Sequence, residues 1–444
     1  MIRFYKQLFI NPRFFISGGA IVVVFALSFV LHWLFPAGVV MLLLLCVVAI
    51  ADSLLVFSRK NGVLVSRTLP SLLSLSDENK VVLNVKNQTG IKIRVLIYDE
   101  LPFQLQVRDF EIRDALNEGE ERTFEYNVRP VTRGRYMFGN VNAFISSGLG
   151  FVSKKQVVEL STPISVYPSI IQMKKYELMA HPAFTRSEGI KRHRRIGHSY
   201  EFDQIKEYVV GDDNRSVNWK ASSRKGALMV NQYEDERAQQ IYNIIDKSRS
   251  MRMPFNNLTL LDHAINTSLV ISNIILQKHD KAGLITFSDK IGTILPADKS
   301  SQQLRLILEA LYNEQEHNLE ANYELLFHLV RNVLKQRSLI FLYTNFESYH
   351  AFERMLPILR QVSRLHLLVV VFFENEDVIK MSTGETADLR DIYLQIIARK
   401  YREEKRQIVT KLNNYGIHAI KTLPQDLSIN TINKYLELKS RGMI

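Results

Sequence analysis

From Phe14 to Ala51 the chain carries no Asp, Glu, Lys or Arg, and Ile, Val, Leu, Phe, Ala and Gly dominate the run. A bilayer core takes about 20 apolar residues per helix, so the run is too long for one span and suits two. "FPAG", Phe35 to Gly38, has the punctuation of a turn. Transmembrane helices are therefore expected at 14–35 and 39–57, in a membrane hairpin over residues 1–60. Both must be helical, because lipid leaves an open backbone unsatisfied. A cleaved signal peptide does not suit a run this long that is followed at once by a second span. Arg3, Lys6 and Arg13 precede the first helix and Arg59, Lys60 and Arg67 follow the second, whereas the connection is uncharged. The positive-inside rule then places both ends, and everything beyond residue 60, in the cytoplasm. Gly18, Gly19 and Ala20 are small enough for another helix to pack against them.

The remaining length, in a chain of 444 residues, allows two or three cored domains. The single cysteine, Cys46, falls inside the apolar run, so there is neither an intrachain disulfide nor a Cys-based zinc site. The net charge of +12 suits an anionic membrane face, an acidic protein or nucleic acid. Nucleic acid is not expected as a partner, since neither a reading helix nor interleaved stacking aromatics accompany the basic stretches.

Residues 64–170 follow a period of two, as in "IKIRVLIYD" and "RTFEYNV", with Gly, Pro, Asn and Asp clustered between the runs. Short strands at that spacing predict a β-sandwich-like domain. Residues 171–235 form an irregular connector. Its stretch "FTRSEGIKRHRRIGHSY" packs Arg186, Lys191, Arg192, Arg194 and Arg195 around two histidines. These cations would repel a metal ion, leaving a solvated basic loop or a contact with anionic lipid or a partner. Next, Gly211-Asp212-Asp213-Asn214 signals a turn, in which Asp213 or Asn214 caps a short helix carrying Trp219. Arg215, Lys220 and Arg224 are expected to pair internally with Asp212, Asp213 and Glu207; the other reading has them meeting an acidic surface.

From 238 to 444 strands alternate with helices. Strands are expected at 241–245, 283–287, 291–295, 338–343, 367–373 and 417–421. Helices are expected at 258–278, 301–313, 322–335, 350–363, 388–414 and 427–440. Continuous apolar strands such as "LHLLVVVFF" belong to a sheet covered on both faces, so this part reads as a doubly wound α/β domain. Ligands of such sheets bind beyond the carboxyl ends of the strands.

One expected strand ends there on three short oxygen-bearing side chains at alternate positions. In "IYNIIDKSRSM", Asp246, Ser248 and Ser250 follow the apolar run. In a loop, residues at this spacing can turn their oxygens inward around a small hard cation, Mg²⁺ above all. They can equally hydrogen-bond the loop backbone as a capped turn.

Asp246-Lys247-Ser248-Arg249-Ser250 resembles the D-x-S-x-S element of the von Willebrand factor A fold, with its metal-ion-dependent adhesion site, and "AGLITFSD" resembles that fold's next strand. "YVVGDDNRSVNWKASSR" ahead of such a domain, with "RGRYMFGNV" earlier, resembles the bacterial family called domain of unknown function 58. The motif residues here are Gly211, Asp212, Asp213, Arg215, Trp219, Lys220 and Arg224. The resemblance spans nearly the whole chain. It implies an integral protein of the bacterial cytoplasmic membrane, multi-pass, with its bulk in the cytoplasm. It also implies a partner of the MoxR type of AAA+ ATPase, and other membrane or A-domain proteins beside it. The sequence departs from the fold's metal site at two places. Asn322 stands where a hydroxyl is expected, and Thr344-Asn345 end the fourth strand in place of an acid. With Asp246 the only sure carboxylate and Lys247 and Arg249 beside it, Mg²⁺ is expected to bind weakly or not at all.

No phosphate-binding loop, HExxH, GxSxG or GxGxxG element occurs. The leading expectation is a non-enzymatic, membrane-anchored interaction module, an adaptor or scaffold for the ATPase. Its rivals are a metal-assisted hydrolase using Asp246 with Asp212 or Asp213, and a purely structural scaffold with a degenerate metal site.

Overall fold

The uncharged run folds into two helices, α1 (Pro12–Ser28) and α2 (Leu34–Phe57), in a computed structural model that describes residues 7–58, 62–108, 110–180, 201–209, 212–234, 238–255, 257–384 and 388–444. The turn falls at 29–33, ahead of "FPAG", because Pro36 lies in the first turn of α2, where its missing N–H is no loss. The helices make their close approach at Gly38, where a Cβ would stand 2.9 Å from the Phe25 ring. Gly18 and Gly19 face open space instead. Of the two, α2 has 24 residues and is long and apolar enough to cross a membrane; α1, with 17, is shorter. At about 1.5 Å per residue, α2 exceeds the roughly 30 Å of a bilayer core.

The chain divides into two compact units, Met1–Tyr167 and Pro168–Ile444. The first holds both helices and strands β1 (Leu8–Ile10), β2 (Val63–Thr68), β3 (Leu73–Ser74), β4 (Asn79–Asn87), β5 (Ile93–Asp99), β6 (Ile112–Leu116), β7 (Glu121–Val128), β8 (Gly134–Phe138), β9 (Val141–Ser146), β10 (Val152–Val158) and β11 (Thr162–Tyr167). They form sheets of order β1-β10-β9-β5-β6, β2-β4-β7 and β3-β11-β8. Alternate residues of the first two sheets, among them Val63, Val65, Leu83, Val85, Val95, Ile97 and Ala143, bury into one core. This is the period of two made physical: in β2, β4 and β5 the residues between them are half-buried or exposed.

Arg67, counted above toward the topology, and Asp52, the acid that follows the uncharged run, are both structural in this unit. Arg67 is buried and paired with Asp99 at 2.5 Å, and Tyr126 donates to the same carboxylate. Asp52, which ends the uncharged run, is fully buried near the end of α2. Its carboxylate accepts the Ser147 hydroxyl and the backbone N–H groups of Phe151 and Val152, the latter two at 2.8 and 2.9 Å. The apolar helix is thereby clasped to β10 and the loop before it.

The second unit begins with α3 (Ile170–Ala180) and continues with β12 (Glu201–Glu207), the short helix α4 (Trp219–Lys225) and β13 (Met229–Glu234). The connector expected to be irregular thus holds regular elements. Ile170, Met173 and Tyr176 of α3, at helical spacing, pack on the core of this unit. Then follow β14 (Gln240–Asp246), the two-residue strands β15 (Pro254–Phe255) and β16 (Leu258–Thr259), α5 (Leu260–Gln277), β17 (Lys281–Phe287) and β18 (Ile291–Asp298). The remainder comprises α6 (Gln303–Asn313), α7 (Tyr323–Val333), β19 (Leu339–Tyr343), α8 (Tyr349–Leu365), β20 (Leu367–Phe373), α9 (Glu376–Thr383), α10 (Leu389–Asn414), β21 (His418–Thr422) and α11 (Leu427–Ser440).

The sheet order is β18-β17-β14-β19-β20-β21, with β18 antiparallel at one edge and the other neighbours parallel. The inner strands β14, β17, β19 and β20 are largely apolar because both of their faces are covered. Ile241, Ile245, Phe341 and Val369 face α3, α5, α6 and α11, whereas Tyr242, Ile244, Leu342 and Val370 face α7, α8 and α10.

Replacing Asp52 by Ala orphans two backbone donors and a hydroxyl beside β10, and a buried unpaired group costs roughly 1–3 kcal/mol. Asp52→Ala is expected to lower the unfolding temperature of the first unit and open the loop at 147–151 to protease, with Asp52→Asn milder. Wild-type resistance in both variants would refute the clasp.

Candidate functional site

From Ile241 to Ile245 the central strand is uncharged and apolar but for Asn243, and it must end before it can carry a charge. Asp246 is that end, and it is 1% exposed. The register that sets Ile245 opposite Tyr343 brings the next pair, Asp246 and Thr344, together. One carboxylate oxygen accepts the Ser248 N–H at 2.8 Å, and the other accepts the Thr344 hydroxyl at 2.7 Å. With its own proton given to Asp246, Thr344 takes one from the Tyr323 hydroxyl, 2.6 Å away. Burial pushes the Asp246 carboxyl up, against the hydrogen bonds from Ser248 and Thr344 that pull it down. Burial, and then the Asp246 charge, drive the Tyr323 phenol well above its ordinary range.

The other sequence-predicted ligands have their own partners. Ser248 and Ser250 share a hydrogen bond between their hydroxyls at 3.1 Å. Asn322 caps α7, its side-chain oxygen accepting the Leu325 N–H at 3.0 Å. Asn345 donates to the Ser250 carbonyl at 3.2 Å, and its oxygen accepts from the Lys405 ammonium at 3.0 Å. Lys405 also donates to the Phe346 carbonyl at 2.5 Å and lies near the rings of Tyr401 and Phe372. A protein cation thus occupies the amide oxygen that a metal would need. Hard octahedral ions favour several oxygens with carboxylate charge, and this set supplies one acid, already doubly bonded. As arranged, these donors do not fit Mg²⁺.

The bases flanking Asp246 turn elsewhere. Lys247 pairs with the buried Glu314 at 2.7 Å, and Thr286 and Thr293 also donate to that carboxylate. Burial alone would raise Glu314, but the bonds from Lys247, Thr293 and Thr286 outweigh it and hold it below the usual range. Arg249 faces Glu347 and Glu320. Sequence reasoning missed Glu314 and Lys405, since neither lies in a recognisable motif.

The paired acids of the preceding hairpin do not join this cluster among the described residues. Asp212 accepts from Lys206 at 2.8 Å and from the Val209 N–H at 3.1 Å. Asp213 caps the short turn Asn214–Ser216 by accepting the Arg215 N–H, and Asn218, not Asp213 or Asn214, caps α4. The expected pairing of Arg215, Lys220 and Arg224 with acids is not what the hairpin does. Lys206 takes Asp212 and Lys225 takes Glu207, at 3.2 Å. Trp219 is 71% exposed. Gly211 and the basic stretch with Arg186, Lys191, Arg192, Arg194 and Arg195 lie outside the described residues.

Beyond the carboxyl edge of the sheet stands a feature the sequence reading did not isolate. From the end of β20 the chain enters α9, which packs along α10. The inner face of α10 is set by Ala398, Lys405, Ile408 and Leu412. Leu389, Ile392, Tyr393, Ile396 and Ile397, spaced as one helical face, are exposed; Leu389 is 82% and Tyr393 68% so. The signal was available as periodicity, but periodicity alone does not say which side of a helix is wet.

A family model described as "Protein of unknown function DUF58" matches residues 204–391. A relative from Bacillus subtilis (strain 168), "Uncharacterized protein YeaD", is 23% identical over 273 residues, 56% of this chain and 64% of its own length. Among solved structures, the CARDB domain of PF1109 from Pyrococcus furiosus is 20% identical, covering 24% of this chain and 94% of that one, with a TM-score of 0.17. Proximal thread matrix protein 1 from the mussel byssus is 12% identical over 46% of this chain and 47% of that one, with a TM-score of 0.26. Neither score reaches the range of a shared fold.

Burial holds the Lys405 ammonium down at about 8, from 10.5 in the unfolded chain. A depressed folded pKa means stability present above the unfolded pKa and lost as pH falls through the folded one. Between pH 8 and 10.5, wild-type stability is expected to rise more steeply than that of Lys405→Met in urea unfolding. Parallel profiles would remove Lys405 from this role.

Proposed function

We propose that the chain is a membrane-anchored protein-interaction module whose second unit presents the carboxyl edge of its sheet to a partner. The observation that carries this reading is the exposed apolar face of α10, Leu389 to Ile397, off that edge. Contiguous apolar surface on a charged, globular domain marks an interaction site. The chemistry at Asp246 favours the same reading. Its bonds are closed within the protein, and Asp212 and Asp213 are engaged on their own hairpin, so these three acids do not converge on a substrate site.

Anchoring is by α1 and α2 as a two-span hairpin with both ends in the cytoplasm of a bacterial cell, supported by the length of α2 and by the bases Arg3, Lys6, Arg13, Arg59 and Lys60. The second unit is a von Willebrand factor A-like domain, a reading supported by its mixed six-stranded sheet and by D-x-S-x-S at the end of the central strand. Its metal site is degenerate and works as a hydrogen-bonded cap. The first unit is a β-sandwich-like spacer. The partner is an AAA+ ATPase of the MoxR type, an identification that rests on the resemblance of the "GDDNRSVNWK" stretch and the order of parts.

Two measurements test this. Calorimetric titration of detergent-solubilised protein with Mg²⁺ is expected to give no saturable heat; saturable binding lost in Asp246→Ala would restore a working metal site. Affinity capture from the native membrane, with and without nucleotide, is expected to recover an AAA+ ATPase with wild-type chain. Tyr393→Glu/Ile396→Glu should lose at least most of it while keeping its unfolding transition. Failure of the wild type to recover such an ATPase sinks the partner, and equal recovery by the variant sinks the site.

A further inference from the structure

A second exposed surface in this unit has a different chemistry. The ladder bonds the Tyr208 N–H to the Leu228 carbonyl and the Asn218 N–H to the Met229 carbonyl, so α4 starts beside β13. Val209, Leu228 and Trp219 are all exposed, Val209 by 62%. Within five positions of Trp219, Arg215, Lys220 and Arg224 are exposed and have no ion pair among the described residues. Three acids of the hairpin are engaged elsewhere: Asp212 with Lys206, Glu207 with Lys225, and Asp213 as the cap of a backbone turn. The hairpin thus exposes an indole and two aliphatic side chains together with three cations that have no ion pair among the described residues.

We propose that this Trp219 patch rests on an anionic lipid surface, with the indole at headgroup depth and Arg215, Lys220 and Arg224 on the phosphates. Indole rings favour the membrane–water interface because one edge is apolar and the N–H is polar. Basic side chains beside them gain from the negative potential of an anionic leaflet. The occupant is a bilayer because α2 of the same chain is long and apolar enough to cross a membrane, and such an anchor would tether the second unit to a lipid surface. The contact rests on that anchoring and is independent of the ATPase partner. It adds a second point of attachment, which makes a single weak patch effective at high local concentration.

The chain has two tryptophans, Trp33 and Trp219, so Trp33→Phe leaves Trp219 as the only indole reporter. That full-length variant is reconstituted into nanodiscs of phosphatidylcholine alone or mixed with phosphatidylglycerol. The expected result, in the mixed discs only, is a blue shift of emission, loss of acrylamide quenching and new quenching by brominated acyl chains, all reversed by high salt. Arg215→Glu/Lys220→Glu/Arg224→Glu should return the emission to its water-exposed position with the circular dichroism spectrum unchanged. Three results overturn the proposal. A Trp219 equally open to acrylamide in both discs denies the lipid contact while leaving the anchor intact. A Trp219 that dries only when an acidic protein is added assigns the patch to a protein. Release of the chain from native membranes by alkaline carbonate removes the anchor, and the lipid contact with it.

Discussion

Everything in the second unit is arranged around a strand buried on both faces. β14 has a neighbour on each side and helices above and below, so its interior positions admit polar atoms only with partners. Asn243 is such a case, donating to the Ser272 hydroxyl at 2.9 Å. Polar chemistry is therefore pushed to the strand's end. Because β14, β17, β19, β20 and β21 run parallel, their carboxyl ends open on the same edge. Asp246, Thr344, Asn345 and the start of α9 come to that edge for one reason, the direction of the strands.

At the edge, the competing demands of a buried carboxylate and a buried ammonium are settled inside the protein. Asp246 is neutralised by donors from its own loop and from the end of β19, and Lys405 by acceptors following β19. An isolated buried charge is costly, and each of these is surrounded by dipoles instead. The same principle governs Lys247 and Glu314. What remains to face outward is the apolar side of α10, along with arginines and glutamates of the loops. That composition suits holding a protein surface better than activating a water.

In the first unit a similar economy joins the apolar helix to a β domain. Asp52 is the first acid after the uncharged run, and Arg67 counts as one more positive-inside residue. Both are buried and paired, Asp52 with a loop about a hundred residues away and Arg67 with Asp99. The apolar helix is thus built into the β domain that follows it, through groups whose burial makes each bond expensive to lose.

The local patterns were legible in the amino-acid order because they are local. An uncharged run long enough for helices in lipid, a period of two before residue 170 and alternating apolar strands and helices after 238 each reflect neighbours within a turn or a pleat. So does Asp246 at the end of its strand. The fate of the candidate ligands was decided elsewhere. The oxygen of Asn345 belongs to Lys405, sixty positions along the chain, and the carboxylate of Asp246 to Thr344, ninety-eight positions along. Of the acids presumed for Arg215, Lys220 and Arg224, Asp212 pairs with Lys206, Glu207 pairs with Lys225, and Asp213 caps a turn. Periodicity tells which residues share a face; only the folded chain decides which hydrogen-bond partner arrives, since that depends on register between segments distant in sequence.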